Sequence, residues 1–221
     1  MVPGIRGLPP AGESRLLDPE RLLRVLKDLA GLPGGAETEY MDLGTPPGKE
    51  WTWLPRSLRD SPHGVLLVRT APVDLAIEPP FPLESSPSGP RDADFEPIRK
   101  LLESPRTVAV ILLRLGAYAI GVVENRKLVM HRTGTRYVHG RHRAGGQSQR
   151  RFERNREQWA AKLFDEVCRL ARERFEPYEG RLGHLAFGGD RHVLSRFARR
   201  CPYVEALSVR TLRRRVEVDR P

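Results

Sequence analysis

The chain has 221 residues, 39% of them hydrophobic, enough to bury a core in one domain or in two small ones. Its formal net charge is +10 and its isoelectric point about 10.3, which calls for an anionic partner. No charged-then-apolar leader opens it and no apolar run approaches a membrane span, so a cytosolic protein with no membrane contact is expected.

Residues 1–15, rich in Pro and Gly, read as a loose tail. Asp18-Pro19-Glu20 reads as a helix N-cap with Pro at the first helical position and an acid in the first turn. Leu22, Leu23, Val25, Leu26 and Leu29 then make a helical apolar stripe that stops at Gly31 and Pro33. Trp51-Thr52-Trp53-Leu54 and Gly64-Val65-Leu66-Leu67-Val68-Arg69 read as strands, the two tryptophans as packing residues more than base-stacking ones. Residues 72–97, with many prolines among acids and serines, read as an extended linker. This organisation predicts an N-terminal segment, residues 1–99, and a second domain, residues 100–221.

From residue 107 the pattern sharpens. Residues 108–115 are a nearly continuous apolar run fit for a buried strand. Residues 117–124 follow Gly116, Glu124-Asn125-Arg126-Lys127 reads as a hairpin turn, and residues 128–138 make a third strand, completing an antiparallel meander. A basic loop, residues 140–147, precedes a long helix over residues 148–174 with Phe152, Trp159, Leu163, Val167 and Leu170 on one face. Pro177 and Gly180 end it. Leu185-Ala186-Phe187 is a short strand, Asp190 caps a helix through Arg199, and residues 203–209 read as a last strand. The order β-β-β-α-β-α-β predicts an α/β domain of the α+β kind, a mixed sheet with helices packed on it. Cys168 and Cys201, the only cysteines, lack Cys-x-x-Cys spacing and a nearby histidine pattern. Both read as small buried hydrophobes, and neither a metal nor a cofactor is expected.

The basic residues are uneven: apart from Lys27, Lys49, Lys100, Lys127 and Lys162, every one of the 38 is arginine. A GC-rich genome accounts for an arginine excess but not for its clustering around the run Arg141-His142-Arg143-Ala144-Gly145-Gly146-Gln147-Ser148-Gln149-Arg150-Arg151-Phe152. Two glycines there allow positive φ and close approach to another molecule. The amides that follow open a helix and have no intrahelical acceptor, so they can donate to a developing negative charge. Arg141, Arg143, Arg150, Arg151, Arg154 and Arg156, with His142 as one more polar loop residue, suit phosphates of a polyanionic target. The loop's lack of periodicity suggests that it orders on binding. Arg213-Arg214-Arg215 either extends that footprint or is a solubilising tail. Gly188-Gly189-Asp190 reads as a turn with an N-cap Asp.

Gly145-Gly146-Gln147-Ser148, then Phe152 and an Arg-rich helix through Arg154 and Arg156, resembles the middle domain of archaeo-eukaryotic class-I peptide-chain release factors. The resemblance extends to release-factor-like domains of ribosome-associated quality control and ribosome rescue, and to the small release-factor-like proteins of actinobacteria. It covers roughly residues 105–221 and implies a fold related to RNase H-like sheets. It also implies hydrolysis of the ester joining a nascent peptide to tRNA, with the loop inserted into the peptidyl transferase centre of the large ribosomal subunit. On that resemblance the backbone N–H of Gln147 stabilises the transition state or departing tRNA 3′ end, its side chain positions water, and Gly145 and Gly146 shape the tip. A rigid donor aimed at an oxyanion is worth ~3 kcal/mol. Gln149 is the rival glutamine. Neither a codon-reading motif in residues 1–100 nor the family's GTPase-binding domain is found, which leaves codon-independent release by a monomer on 23S rRNA and peptidyl-tRNA.

Two other classes compete. A nuclease on an RNase H-like sheet needs several carboxylates converging on metal ions, and the strand at residues 108–115 holds none. A non-catalytic ribosome- or RNA-binding factor for stalled or dormant ribosomes would use the same basic surface.

Overall fold

A computed structural model describes residues 12–41, 51–71, 73–83, 89–135 and 147–216, the side chains of residues 147–153 excepted. It divides into two compact units, Met1–Ser104 and Pro105–Pro221.

In the first unit, helix α1 (Pro19–Ala30) starts where the Asp18 carboxylate accepts from the Arg21 N–H at 2.8 Å, and it ends at Gly31, as its capping residues predict. It buries Leu22, Val25, Leu26 and Leu29. Strands β1 (Ala36–Met41), β2 (Val65–Thr70), β3 (Asp74–Ile77) and β4 (Arg91–Asp92) form an antiparallel sheet in the order β3-β2-β1-β4. Between β1 and β2 lies the single turn α2 (Arg56–Arg59), and α3 (Glu96–Glu103) ends the unit. Strand β2 is apolar on both faces because both are covered. Leu66 and Val68 pack with α1 and with Ile98 of α3, while Val65 and Leu67 pack with Trp51 and Leu54.

Two expectations fail here. Trp51-Thr52-Trp53-Leu54 is a tight turn, not a strand. The Trp51 ring is 2% exposed and its indole N–H donates to Glu39 at 2.7 Å, so aromatic enrichment reported core packing and not pleated backbone. Trp53 stands 45% exposed beside it, ring centroids 6.0 Å apart. Residues 72–97 are not merely a linker: they hold β3, β4 and the start of α3, with Pro79, Pro80 and Pro82 after β3 and Pro97 in the first turn of α3.

In the second unit, β5 (Thr107–Arg114), β6 (Ala117–Glu124) and β7 (Lys127–Thr135) form the expected antiparallel meander. Strand β8 (His184–Gly189) adds parallel to β5, giving the order β7-β6-β5-β8. Helices α4 (Gln147–Phe175), α5 (Arg191–Arg200) and the short α6 (Pro202–Ala206) pack on one face, against Ala109, Ile111, Leu113, Ile120 and Val122. Asp190 caps α5 by accepting from the N–H groups of His192 and Val193, as expected. The α+β class and the mixed sheet with packed helices stand.

The β6–β7 turn places both Asn125 (φ +49°) and Arg126 (φ +69°) in the left-handed region, the requirement of a two-residue turn matched to strand twist. Arginine pays for its Cβ there and glycine does not. Arg126→Gly should therefore raise stability by about 0.5–1 kcal/mol, read as a Tm increase of a few degrees in a thermal melt.

Two corrections concern the end of the chain. Cys168 and Cys201 are not separate thiols but a disulfide, Cα to Cα 5.5 Å. Residues 203–209 are not a strand: Pro202 opens α6, and a 3-10 turn (Ser208–Arg210) follows. The chain comes alongside β8 only afterwards, where the N–H groups of Leu212 and Val216 donate to Leu185 and Phe187 at 2.8 and 2.7 Å. That segment makes isolated parallel bridges, Leu185 with Thr211 and Gly188 with Val216.

Candidate functional site

The strand registers gather several chain ends at one end of the second sheet. Thr135 of β7 pairs with Ala117, Ala117 with Arg114, and Leu113 with Gly189. The segment between β7 and α4 leaves from this end. Arg141, His142, Arg143, Gly145 and Gly146 belong to it and lie outside the described residues. The helix expected to start at Ser148 starts one residue earlier, making Gln147 the first residue of α4. Gln149, Arg150, Arg151 and Phe152 follow in helical backbone, their side chains outside the description.

Helix α4 has 29 residues, about 44 Å at 1.5 Å per residue. The first of its described side chains to be buried is Ala160. Gln147 lies thirteen positions before Ala160, about 20 Å along the helix axis. On this leading part Arg154 is exposed and Arg156 half-buried. Its first turn holds no acidic side chain, so nothing of that kind competes for the positive end of the helix.

The rest of α4 is fixed to the sheet and to α5 by contacts that sequence reasoning missed. The Tyr118 hydroxyl donates to Glu166 at 3.1 Å, and burial followed by that carboxylate pushes the phenol pKa up, so it stays a donor. The Tyr118 ring lies over Gly134 of β7, where a Cβ would overlap it. Asp165 accepts two hydrogen bonds from the Arg200 guanidinium, at 2.7 and 2.9 Å. That pair holds the carboxyl below the usual carboxylate range, hence charged at neutral pH. The Cys168–Cys201 bond lies next to it. No sequence signal joins these residues, because each pair spans 33 or more positions.

Charge separates the units sharply. Residues 1–104 hold 12 Lys and Arg against 16 Asp and Glu, a net of −4, whereas residues 105–221 hold 26 against 12, a net of +14. The excess of positive charge therefore resides in the second unit. Among the described residues no group of three His, Cys, Asp or Glu could hold a metal ion. Strand β5 carries no carboxylate, and the two acids of α4 nearest the core, Asp165 and Glu166, are engaged as described. Gly188-Gly189-Asp190 is a packed turn with an N-cap: a Cβ on Gly188 would lie 2.6 Å from Leu112 Cδ2 and 2.8 Å from the Val216 oxygen. No helix among the described residues is long and apolar enough to cross a membrane.

Against known proteins, a family model described as Actinobacteria/chloroflexi VLRF1 release factor matches residues 106–221. Peptide chain release factor subunit 1 of Methanopyrus kandleri is 33% identical over 114 residues, 51% of this chain and 28% of that protein. The same factor of Methanocaldococcus jannaschii is 33% identical over 125 residues, 55% of this chain and 30% of that protein. The matches thus take in less than a third of those relatives' length. Among solved structures, the archaeal translation termination factor aRF1 aligns with a TM-score of 0.42 at 16% identity, over 90% of this chain and 64% of that one.

Proposed function

The chain belongs to the Actinobacteria/chloroflexi VLRF1 release-factor family, and from that premise we propose that it is a codon-independent peptidyl-tRNA hydrolase acting on stalled ribosomes or large subunits. Membership implies a release-factor role on ribosomes. The observation that carries the finer reading is that Gln147, directly after Gly145-Gly146, is the first residue of the 29-residue helix α4 and lies about 20 Å along it from Ala160. The end of a helix suits entry into the peptidyl transferase centre, which a packed sheet could not enter.

In this reading the peptidyl ester is attacked by water and its carbonyl oxygen gains negative charge. The N–H of Gln147 stabilises that oxygen or the departing 3′ oxygen, and its side chain places the water. Gly145 and Gly146 let the backbone approach. Arg141, His142, Arg143, Arg150, Arg151, Arg154 and Arg156 neutralise rRNA and tRNA phosphates around the tip. No cofactor takes part. Residues 100–221 form the catalytic domain, and the protein works as a cytoplasmic monomer. Codon independence is supported by charge: the first unit, at −4, is ill suited to gripping another polyanion such as mRNA.

The test is release of a labelled peptide from tRNA on stalled large subunits and on ribosomes with sense or stop codons in the decoding site. Release on all three is expected. Release only at stop codons removes the codon-independent reading, and binding without release leaves a non-catalytic ribosome factor.

A second measurement addresses the loop. Ribosome affinity should fall steeply with salt, and replacing Arg141 and Arg143 together with Gln should flatten the log–log slope by about 2, near 0.9 for each phosphate no longer neutralised. An unchanged slope in a filtration or anisotropy titration would take these two residues out of the RNA interface.

A further inference from the structure

We propose that a rim of arginines beside the β5–β8 end of the second sheet, Arg114, Arg191, Arg213, Arg214 and Arg215, docks on the phosphate backbone of large-subunit ribosomal RNA. The proposal deepens the release-factor reading and rests on it for the identity of the RNA.

The rim is a product of the topology. Arg114 is the last residue of β5, and Arg191 opens α5 one residue after the Asp190 N–H donates to the Leu113 oxygen at 3.3 Å. Arg213, Arg214 and Arg215 arrive from the chain end, held against β8 by the hydrogen bonds of Leu212 and Val216. An Arg215 guanidinium N–H also donates to the Gly189 oxygen at 3.4 Å. All five side chains are exposed. They are brought together across positions 114 to 215 by the parallel pairing of β5 with β8 and of β8 with the terminal segment. Arg114 and Arg191 stand at the ends of adjacent chains, and Arg213, Arg214 and Arg215 lie along the next chain, between its bridges to Leu185 and Gly188.

Among the described residues, the acids Asp190 and Glu166 both have hydrogen-bond donors. Asp190 accepts from the N–H groups of His192 and Val193, and Glu166 accepts from Tyr118. A concentration of arginine with no lysine favours bidentate phosphate contacts over diffuse attraction. Arg114 ends a strand and Arg191 opens a capped helix, so these two gain little order on binding.

Position selects ribosomal RNA over tRNA. Phe164 packs edge-on against Phe197, and Cys168 is bonded to Cys201, so over this turn α4 and α5 run in the same sense with an offset of about 33 residues. The start of α5 at Arg191 is therefore level with about residue 158, and α4 runs on roughly 16 Å to Gln147. When Gln147 reaches an ester in the catalytic cavity, the rim remains outside it, where the exposed polyanion is the subunit's own RNA.

The test uses the full chain with Arg213→Gln, Arg214→Gln and Arg215→Gln combined, titrated against vacant large subunits across a salt series. Affinity near physiological salt should fall at least 10-fold, and the log–log salt slope should flatten by about 2–3. A second variant, Arg114→Gln with Arg191→Gln, should show the same kind of loss and covers the case in which the triple variant does not fold, which a thermal melt reports. Unchanged affinity and slope in the folded variants would overturn the proposal. So would a defect seen only on subunits loaded with peptidyl-tRNA, which would assign the rim to tRNA. Failure of the wild-type chain to release peptide from any subunit would sink the release reading separately, since vacant-subunit binding does not depend on chemistry.

Discussion

Gln147→Pro should release peptide on the order of 100-fold more slowly than Gln147→Gly at equal ribosome occupancy, because the two variants share a lost side chain and differ in the backbone donor. One preorganised N–H at a developing oxyanion is worth ~3 kcal/mol of barrier, and each 1.4 kcal/mol is tenfold. The position makes the comparison clean. Gln147 is the first residue of α4, where the N–H has no intrahelical acceptor and proline's fixed φ is compatible with helix. Proline there removes the donor without breaking the helix behind it. Gln147→Ala keeps the N–H and should lower release strongly with ribosome binding little changed, which isolates the side chain's part in placing water. Gln149→Ala, two residues further into α4, should retain release and tests the rival glutamine. Gly146→Ala should also impair release if that position needs positive φ or close approach to RNA. Equal release by the Gly and Pro variants, with occupancy measured in parallel, would exclude the backbone donor from the mechanism.

What could be read from the sequence was local. The cap Asp18-Pro19-Glu20, the Asn125-Arg126 turn and the cap Asp190 each depend on a few neighbouring residues, and each stands where periodicity and capping rules place it. The long helix was legible because one apolar face repeats over about five turns, and the core contacts of Leu163, Val167 and Leu170 follow it. Strand β1 was missed because Ala36, Glu37 and Glu39 are poor strand formers and one of its buried positions, Thr38, is polar, so its alternation does not show as apolar against polar. The tryptophans at 51 and 53 misled for the opposite reason, since bulky aromatics fill a core as readily from a turn as from a strand. The disulfide, the Tyr118–Glu166 bond and the Asp165–Arg200 pair were illegible because each is set by how α4 lies against the sheet and α5. The arginine rim divides the same way. Residues 213–215 stand out as a basic run, but their meeting with Arg114 and Arg191 follows only from strand pairing.

Gly189→Ala should be the most damaging conservative change in the second unit, costing about 3 kcal/mol and lowering its Tm by about 10 °C or more. Two independent effects add at this position. Its φ of +108° lies outside what an L residue adopts without strain. A Cβ there would also overlap the Leu113 carbonyl oxygen and lie 3.0 Å from its carbon, both backbone atoms that cannot rotate away. The Asp190 N–H that donates to that same oxygen would be pushed off with it, loosening the cap of α5 and the seat of Phe197. Gly180 supplies the control within the same unit: its φ is not positive and a Cβ meets nothing within 4 Å, so Gly180→Ala should shift Tm by no more than a few degrees. A Gly189→Ala melt indistinguishable from that control would show that the β8–α5 junction is not the rigid corner described. If the corner is rigid, ribosome binding by Gly189→Ala should weaken below its melting temperature as well, because the same turn sets Arg191 beside Arg114.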